Sequence, residues 1–575
     1  MVSIKSGATP PHTTAQARTA RGAGLGRSAS WLGQPWVQRV LSVLVVLGLW
    51  QLIGRNYPYS ISSPSAIVSE GRHSLFSQVF PSFGQTLASF ALGFAISVVV
   101  GVPVGIAMAR IRVIRTAIEP YVLMLYSMPM LALIPILVIV FGISFELRVT
   151  GVVLFGIFAI IVNTFTGASR VDTALEDVGH SFVASPWKRL TAIIFPGSLR
   201  YIFAGIRIGF GHGMIGAVVI EIEASAVGMG NLLTQFIQAL QLGNFFVVVI
   251  VLGIFSIICS LLIRAAERWA TEPWQRKHHL SPAWRERLDF GRLAPGRAQG
   301  PGPVTLAVRR AAGAASRGTA ALLRNPAGPW LVRVVVLAVI IGAWQLESDH
   351  VSQAVLAAPS SVASAVWQLA VTSHQIWGPL LNSLELLFAG WAVATAVGIP
   401  LGLAMGRFRW FENVTDPYVS FLYALPHVCF VPLMVVWLGF GFKFGLAYVV
   451  LSAIFPVIIN TMQGVKSIDP EYIDAGRSFC ASERTIMRTI IIPGATPFMV
   501  AGARLAFSVS WIGVIVSEVL SSQTGLGGMI DTFSNNYQTA DMFVPVLFIA
   551  AISVIILQLS THYQRRLTPW ATVGV

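Results

Sequence analysis

A shift of 297 residues lays the second half of this chain over the first. GVPVGIAMAR at 101–110 falls on GIPLGLAMGR at 398–407. Pro120-Tyr121 falls on Pro417-Tyr418, Pro129 on Pro426, Pro135 on Pro432 and Gly142 on Gly439. Asn163-Thr164 meets Asn460-Thr461, Pro196-Gly197 meets Pro493-Gly494, Arg207 meets Arg504 and Glu221 meets Glu518. Gly228 and Gly230 meet Gly525 and Gly527. Shared hydrophobicity aligns leucines by chance. It does not align this many prolines, glycines, asparagines and glutamates at one offset. The chain is therefore two copies of one folding unit, joined head to tail.

Composition says which kind of unit. Of 575 residues, 55% are apolar and 11% are charged, against about 25% charged in average soluble proteins. A soluble fold this apolar lacks material for its surface, and an unfolded chain would leave too much apolar area in water. The expected class is an all-α polytopic membrane protein. Apolar runs near the length a membrane helix needs lie at 36–54, 86–108, 121–141, 147–164, 202–221 and 244–263. A second set lies at 330–346, 383–405, 418–438, 444–461, 499–520 and 542–560. The expectation is about twelve transmembrane helices in two tandem homologous units of six. An even number of spans gives both units the same orientation, a parallel repeat. The expected divisions are a disordered basic arm at 1–35, the first unit at 36–270, a basic linker at 271–329 and the second unit at 330–570.

The net charge of +15 would suit nucleic acid if it were spread over one surface. Its placement argues otherwise. With the N-terminus inside, 33 of the 39 Lys and Arg fall in inside segments and only Arg55, Arg72, Arg148 and Lys443 outside. That asymmetry predicts a multi-pass protein with both termini cytoplasmic. Basic segments held at a lipid surface account for the charge without nucleic acid. Cys259, Cys429 and Cys480 have no paired spacing, so neither a disulfide framework nor a zinc site is expected.

Each unit carries a long polar segment between its fourth and fifth spans. The first reads RVDTALEDVGHSFVASPWKRLTAIIFPGSLRY over 170–201 and the second SIDPEYIDAGRSFCASERTIMRTIIIPGATPF over 467–498. Both are amphipathic, broken by a turn and closed by a proline. A short helix across the inner face either rests on lipid or docks into a groove of another protein. Its repetition at one position in both units favours docking.

These segments resemble the EAA loop of the membrane subunits of ATP-binding-cassette importers. That pattern is E-A-A, three residues, G, nine residues, then I-x-L-P. Asp474-Ala475-Gly476, Cys480 and Ile490-Ile491-Ile492-Pro493 stand at those places in the second unit. Asp177-Val178-Gly179, Val183 and Ile193-Ile194-Phe195-Pro196 stand there in the first. Aspartate replaces glutamate, and Cys or Val replaces the glycine, which would permit a positive φ. Together with the G-x-P-x-G run, the proline-rich third span, the Asn-Thr pair and the Glu followed by G-x-G, the likeness is to the nitrate/sulfonate/taurine/bicarbonate branch. It extends over about 60–270 and 355–570.

The resemblance implies a type I ABC importer permease fold and a chain that is not itself an enzyme. It implies two cytoplasmic ABC ATPase subunits, an extracytoplasmic substrate-binding protein, a bacterial inner membrane and a small anionic nutrient. ATP would be used by the partner subunits and no cofactor would be bound here. Consistently, no G-x-x-x-x-G-K-[ST] loop is present, and none of the five lysines follows a glycine. The residues assigned to coupling are Asp177, Val178, Gly179, Val183 and Pro196, with Asp474, Ala475, Gly476, Cys480 and Pro493. Polar residues at membrane depth are pathway candidates: Glu221, Glu518, Asn163, Asn460 and His212. His212 has Val509 as its repeat partner, and Met214 has Trp511. This divergence suggests an asymmetric path with His212 and Trp511 on opposite sides. The competing reading is a twelve-helix secondary transporter, which also has a long central loop.

Overall fold

The structure, a computed structural model, describes residues 34–58, 60–171, 175–177, 181–182, 184–224, 226–278, 327–352, 355–521 and 524–567. The expected basic arm and most of the expected linker lie outside these residues. All regular elements among the described residues are helical. In unit one they are α1 (Pro35–Asn56), α2 (Pro64–Ser74), α3 (Phe80–Arg110), α4 (Arg112–Ser127), α5 (Ile134–Phe141) and α6 (Phe145–Ser169). There follow α7 (Pro186–Arg189), α8 (Phe195–Ala224), α9 (Met229–Gln238) and α10 (Leu242–His278). Unit two begins with α11 (Gly328–Ser348), α12 (Pro359–Trp367), α13 (Trp377–Arg407), α14 (Arg409–Ala424), α15 (Val431–Leu438) and α16 (Phe442–Lys466). It ends with α17 (Pro470–Ser478), α18 (Glu483–Ile486), α19 (Ile492–Leu520), α20 (Leu526–Asn535) and α21 (Thr539–Leu567).

Among the described residues, ten helices are long and apolar enough to cross a membrane, or twelve if each bent pair counts as one span. Helices are what a hydrocarbon slab permits, because each satisfies its own backbone hydrogen bonds. The third apolar run of each unit is not one straight helix, as the sequence suggested. The chain bends by 98° between α4 and the 130–141 segment, and by 90° between α14 and 427–438. The cause is local. Met128 and Leu425 each precede a proline and are extended, with ψ 136° and 135°, because the pyrrolidine ring disfavours helix in the residue before it. After each break, one 3₁₀ turn, Met130–Leu133 or His427–Phe430, restarts the helix.

Within each unit the fourth span is gripped on two sides by small residues. Glycines on α3 face α6: a Cβ built on Gly101 would lie 3.0 Å from Ile160, and one on Gly105 2.7 Å from Thr164. Gly398 and Gly402 of α13 meet Val457 and Thr461 of α16 in the same way, both at 2.8 Å or less. On the other side, Gly156 and Gly209 bring the backbones of α6 and α8 together, and Gly205 sits against Asn163. Lipid tails are as apolar as leucine, so close backbone approach and dispersion hold membrane helices together.

The two units exchange their first spans. α1 packs on α14, and α11 packs on α4. The repeated Pro-Tyr pair serves this exchange: the Tyr121 hydroxyl donates to the Arg333 carbonyl at 3.0 Å, and Tyr418 reaches Ser42 Oγ at 3.4 Å. Asn413 donates to Gln38 Oε1 at 2.9 Å, and Trp437 Nε1 to the Ser60 carbonyl at 2.6 Å. At the centre of the seam each proline break meets the other unit's fifth span. Met130–Leu133 packs on α19, and His427–Phe430 on α8.

The glycine contacts make a direct prediction. Gly402→Val forces α13 away from α16, at a cost of about 1–3 kcal/mol for an overpacked site. Gly378 serves as the control, since a Cβ added there would meet nothing within 4 Å. A lower thermal unfolding midpoint in detergent for Gly402→Val, and none for Gly378→Val, is expected.

Candidate functional site

The polar segment of unit two folds as a helical hairpin. Asp469 caps α17 by accepting the Glu471 N–H at 3.0 Å. Proline follows in the first turn, where its missing N–H costs nothing. The helix ends in a Schellman turn: Cys480 N–H bonds the Arg477 carbonyl at 2.8 Å, and Ala481 N–H bonds the Gly476 carbonyl at 3.1 Å. Such a turn needs a left-handed residue, and Cys480 holds φ 55°. Ser482 then caps α18 by accepting the Thr485 N–H at 3.2 Å.

The inner face of α17 packs Ile473 against the cluster formed by Val465, Ile486, Ile491 and Ala495. Gly476 lies on that face, with room for a Cβ only 3.0 Å from Ile490. Its outer face is apolar and open: Tyr472 is 65% and Phe479 87% exposed. Ala475 lies between them, also exposed, and Asp474 stands beside it with only a loose 3.4 Å contact to Arg477. The repeat partners of Tyr472 and Phe479 are Leu175 and Phe182, and both are exposed as well. Asp177 is exposed; Val178, Gly179 and Val183 lie outside the described residues. After each polar segment the chain widens into one π turn, Leu190–Ile194 or Met487–Ile491. Pro196 and Pro493 are the second residues after these turns, and the wider turn accommodates a ring that would clash in a regular helix.

An arginine at the end of the second span ties each segment to its bundle. Arg110 bonds Glu176 at 2.6 Å and also the Ala168 carbonyl at 2.6 Å. Arg407, its repeat partner, pairs with Glu483, and Glu483 also meets Arg477 at 3.6 Å. The arginines share one position, but the glutamates do not. The signal for them in the sequence is the terminal Arg of the AMAR and AMGR runs, whose partners only the fold reveals.

Glu221 and Glu518 are fully buried, and both clamp the short helix that follows the fifth span. Glu221 Oε2 accepts from Thr86 Oγ1 at 2.9 Å and from the Gly230 N–H at 3.0 Å. Thr86 in turn accepts the Met229 N–H at 2.9 Å. Glu518 repeats this with Ser383 at 2.7 Å and the Gly527 N–H at 2.9 Å, while Ser383 accepts the Leu526 N–H at 2.9 Å. A carboxylate is favoured at a helix N-terminus by the free N–H groups and the dipole. The G-x-G motif follows from the same contact. A side chain at Gly228, whose φ is +102°, or at Gly525 would collide with the carboxylate. These contacts give both glutamates a structural duty at the end of the fifth span.

Asn163 and Asn460 bond back to their own helices, to the Ala159 and Pro456 carbonyls at 2.8 Å, and their Cβ atoms pack on Gly205 and Gly502. They sit in the grip between the fourth and fifth spans. Trp511 is 1% exposed and donates to Ser553 Oγ at 2.9 Å on α21 of its own unit. His212 lies on α8. His427 occupies the proline break packed on that helix. The His427 ring is 5.8 Å from that of buried Tyr448. The repeat positions of His212, His427 and Tyr448 are Val509, Met130 and Gly151, so these three polar side chains have no counterpart in the repeat. His427 is not marked by the sequence because its place in the break depends on the bend. Among the described residues no group of His, Cys, Asp and Glu could hold a metal ion.

The family profile described as binding-protein-dependent transport system inner membrane component matches this chain twice, over 101–271 and 398–573. The chain belongs to this family. This membership sets aside the secondary-transporter reading. The permease is 27% identical over 243 residues to a Bacillus subtilis protein named as an aliphatic sulfonates transport permease, covering 42% of this chain and 88% of that one. It is 31% identical to the taurine transport system permease of Escherichia coli, over 34% of this chain and 71% of the other. To the bicarbonate transport system permease of Synechococcus elongatus it is 28% identical, over 32% and 67%. Each of these aligns to less than half of the permease because the permease holds two units.

Two outcomes check the local geometry. Glu518→Ala leaves the Gly527 N–H and the Ser383 hydroxyl without their acceptor, at about 1–3 kcal/mol for buried groups. Glu518→Gln keeps an acceptor and should lose less; unfolding midpoints in detergent separate the two. Cys480→Gly relieves a left-handed non-glycine residue, a gain of about 1 kcal/mol. Slower proteolysis within 467–498 is the expected readout.

Proposed function

We propose that the permease forms the translocation path of an ATP-driven importer and is driven by two separate cytoplasmic ATPase subunits. The carrying observation is the pair of exposed apolar stripes, Leu175 with Phe182 and Tyr472 with Phe479, at matching positions of both units. A stripe at i and i+7 on a short helix suits insertion into a groove. Bolted to the second span by Arg110 or Arg407 and continuous with the fifth, each hairpin transmits motion into the bundle. The membrane halves then rock about the central seam in alternating access.

On this reading the face bearing the hairpins and most of the Lys and Arg is cytoplasmic, with both termini there. ATP is bound by the partners, not by this chain. A binding protein delivers substrate to the opposite face, where the glutamate clamps hold α9 and α20. The names of the relatives, which speak of sulfonates, taurine and bicarbonate, support a small anionic nutrient as cargo.

The test is co-purification. Burying an aromatic or leucine side chain contributes about 2 kcal/mol, so serine at all four stripe positions should weaken docking by far more than tenfold. A permease carrying Leu175→Ser, Phe182→Ser, Tyr472→Ser and Phe479→Ser should be recovered from membranes at normal yield without its ATPase. Full retention of the ATPase would overturn the coupling assignment.

A further inference from the structure

We propose that the permease holds an anionic phospholipid in a basic pocket between the ends of α8 and α10, in unit one only. The cavity measures about 500 Å³. Arg200 and Arg207 line it from α8, and Arg264 and Arg268 from α10, with Glu267 and Glu272 beside them. Four guanidinium groups face two carboxylates, an excess of positive charge. Arg207 and Glu267 pair across the pocket at a long 3.7 Å, and Arg207 remains 41% exposed. Thr271 turns its hydroxyl back to the Glu267 carbonyl at 2.7 Å and so offers no competing donor. Arginine forks match phosphate oxygens in pairs, and basic pockets between membrane helices bind lipid head groups.

The surroundings select a lipid over a free anion. Ile254, Ile258 and Leu261 project from α10 at spacings of four and three residues, and all are about half exposed. Arg268 lies two turns beyond Leu261 on the same face, by the 3.6-residue period. Trp269 next to it is 82% exposed, the kind of residue that sits at head-group level. Acyl chains along the apolar stripe would place a phosphate among the arginines, and inorganic phosphate would use only the polar half.

The repeat shows that the fold does not require this pocket. Pro497, Thr561, Gln564 and Pro569 stand in unit two where Arg200, Arg264, Glu267 and Glu272 stand in unit one. Only Arg504 and Arg565 keep the charge of Arg207 and Arg268. The pocket is independent of what the permease transports. It adjoins the segment that leads from the first docking hairpin into α8, so a bound lipid would brace that segment.

Native mass spectrometry of the full-length protein in neutral detergent tests this, with phosphatidylglycerol, phosphatidylcholine or inorganic phosphate added. The wild type should retain phosphatidylglycerol over phosphatidylcholine. Retention should fall about fivefold per arginine removed in Arg264→Ala and in Arg264→Ala/Arg268→Ala. Arg565→Ala in unit two should leave it unchanged. Arg268→Gln, with size-exclusion to confirm a monodisperse protein, covers the case in which the double variant fails to fold. Equal retention of the two lipids, or equal retention by wild type and variants, would overturn the proposal. Displacement of the phosphatidylglycerol by millimolar phosphate would also overturn it and mark a soluble-anion site instead.

Discussion

The close approach of the fourth span to the second and the fifth is the contact on which the rest of each unit depends. Hydrocarbon supplies no hydrophobic drive between helices, so stability comes from how near the backbones can come. Gly101, Gly105, Gly156, Gly205 and Gly209 make that distance short in unit one, and Gly398, Gly402 and Gly502 do so in unit two. Three helices held this tightly form one block. The polar segment leaves from the end of the fourth span and re-enters at the start of the fifth. It is tied to the end of the second by Arg110 or Arg407, so it is anchored to all three helices of the block.

The opposite end is secured by a different interaction. Each fifth span ends in a buried carboxylate that binds the first N–H groups of the helix after it, with Thr86 or Ser383 bridging. A buried carboxyl group without such donors would be destabilising. With them it fixes the angle between the fifth span and the short helix. α9 and α20 in turn pack on α15 and α5 of the other unit. The clamp at one end and the hairpin at the other thus lie on a single helix, α8 or α19.

Much of this was legible in the sequence because the repeat filtered it. Residues matched at one offset proved to be those with a fixed geometric duty: Glu and G-x-G in the clamp, Asn-Thr in the grip, Pro-Tyr in the exchange of first spans. Their duties were harder to read than their importance. A glutamate at membrane depth marks a functional candidate, but that it closes a helix end shows only in the fold. The bend of the third span was hidden because its apolar run is continuous; only Pro129 and Pro426 marked it. The turn of the polar segment was not legible either. The pattern's glycine is a cysteine here, and only the fold shows that Cys480 takes the left-handed conformation, at φ 55°.

Fusion changes what such a repeat can become. When two identical copies pair, every substitution appears on both sides of the seam. In one chain the sides vary independently. The two units stay alike where both must meet equivalent surfaces: exposed stripes at Leu175/Phe182 and Tyr472/Phe479, and arginines at 110 and 407. They differ where the units face each other, with His212, His427 and Tyr448 against Val509, Met130 and Gly151. A fused chain can therefore hold His427 at one proline break and Met130 at the other, which two identical copies cannot do.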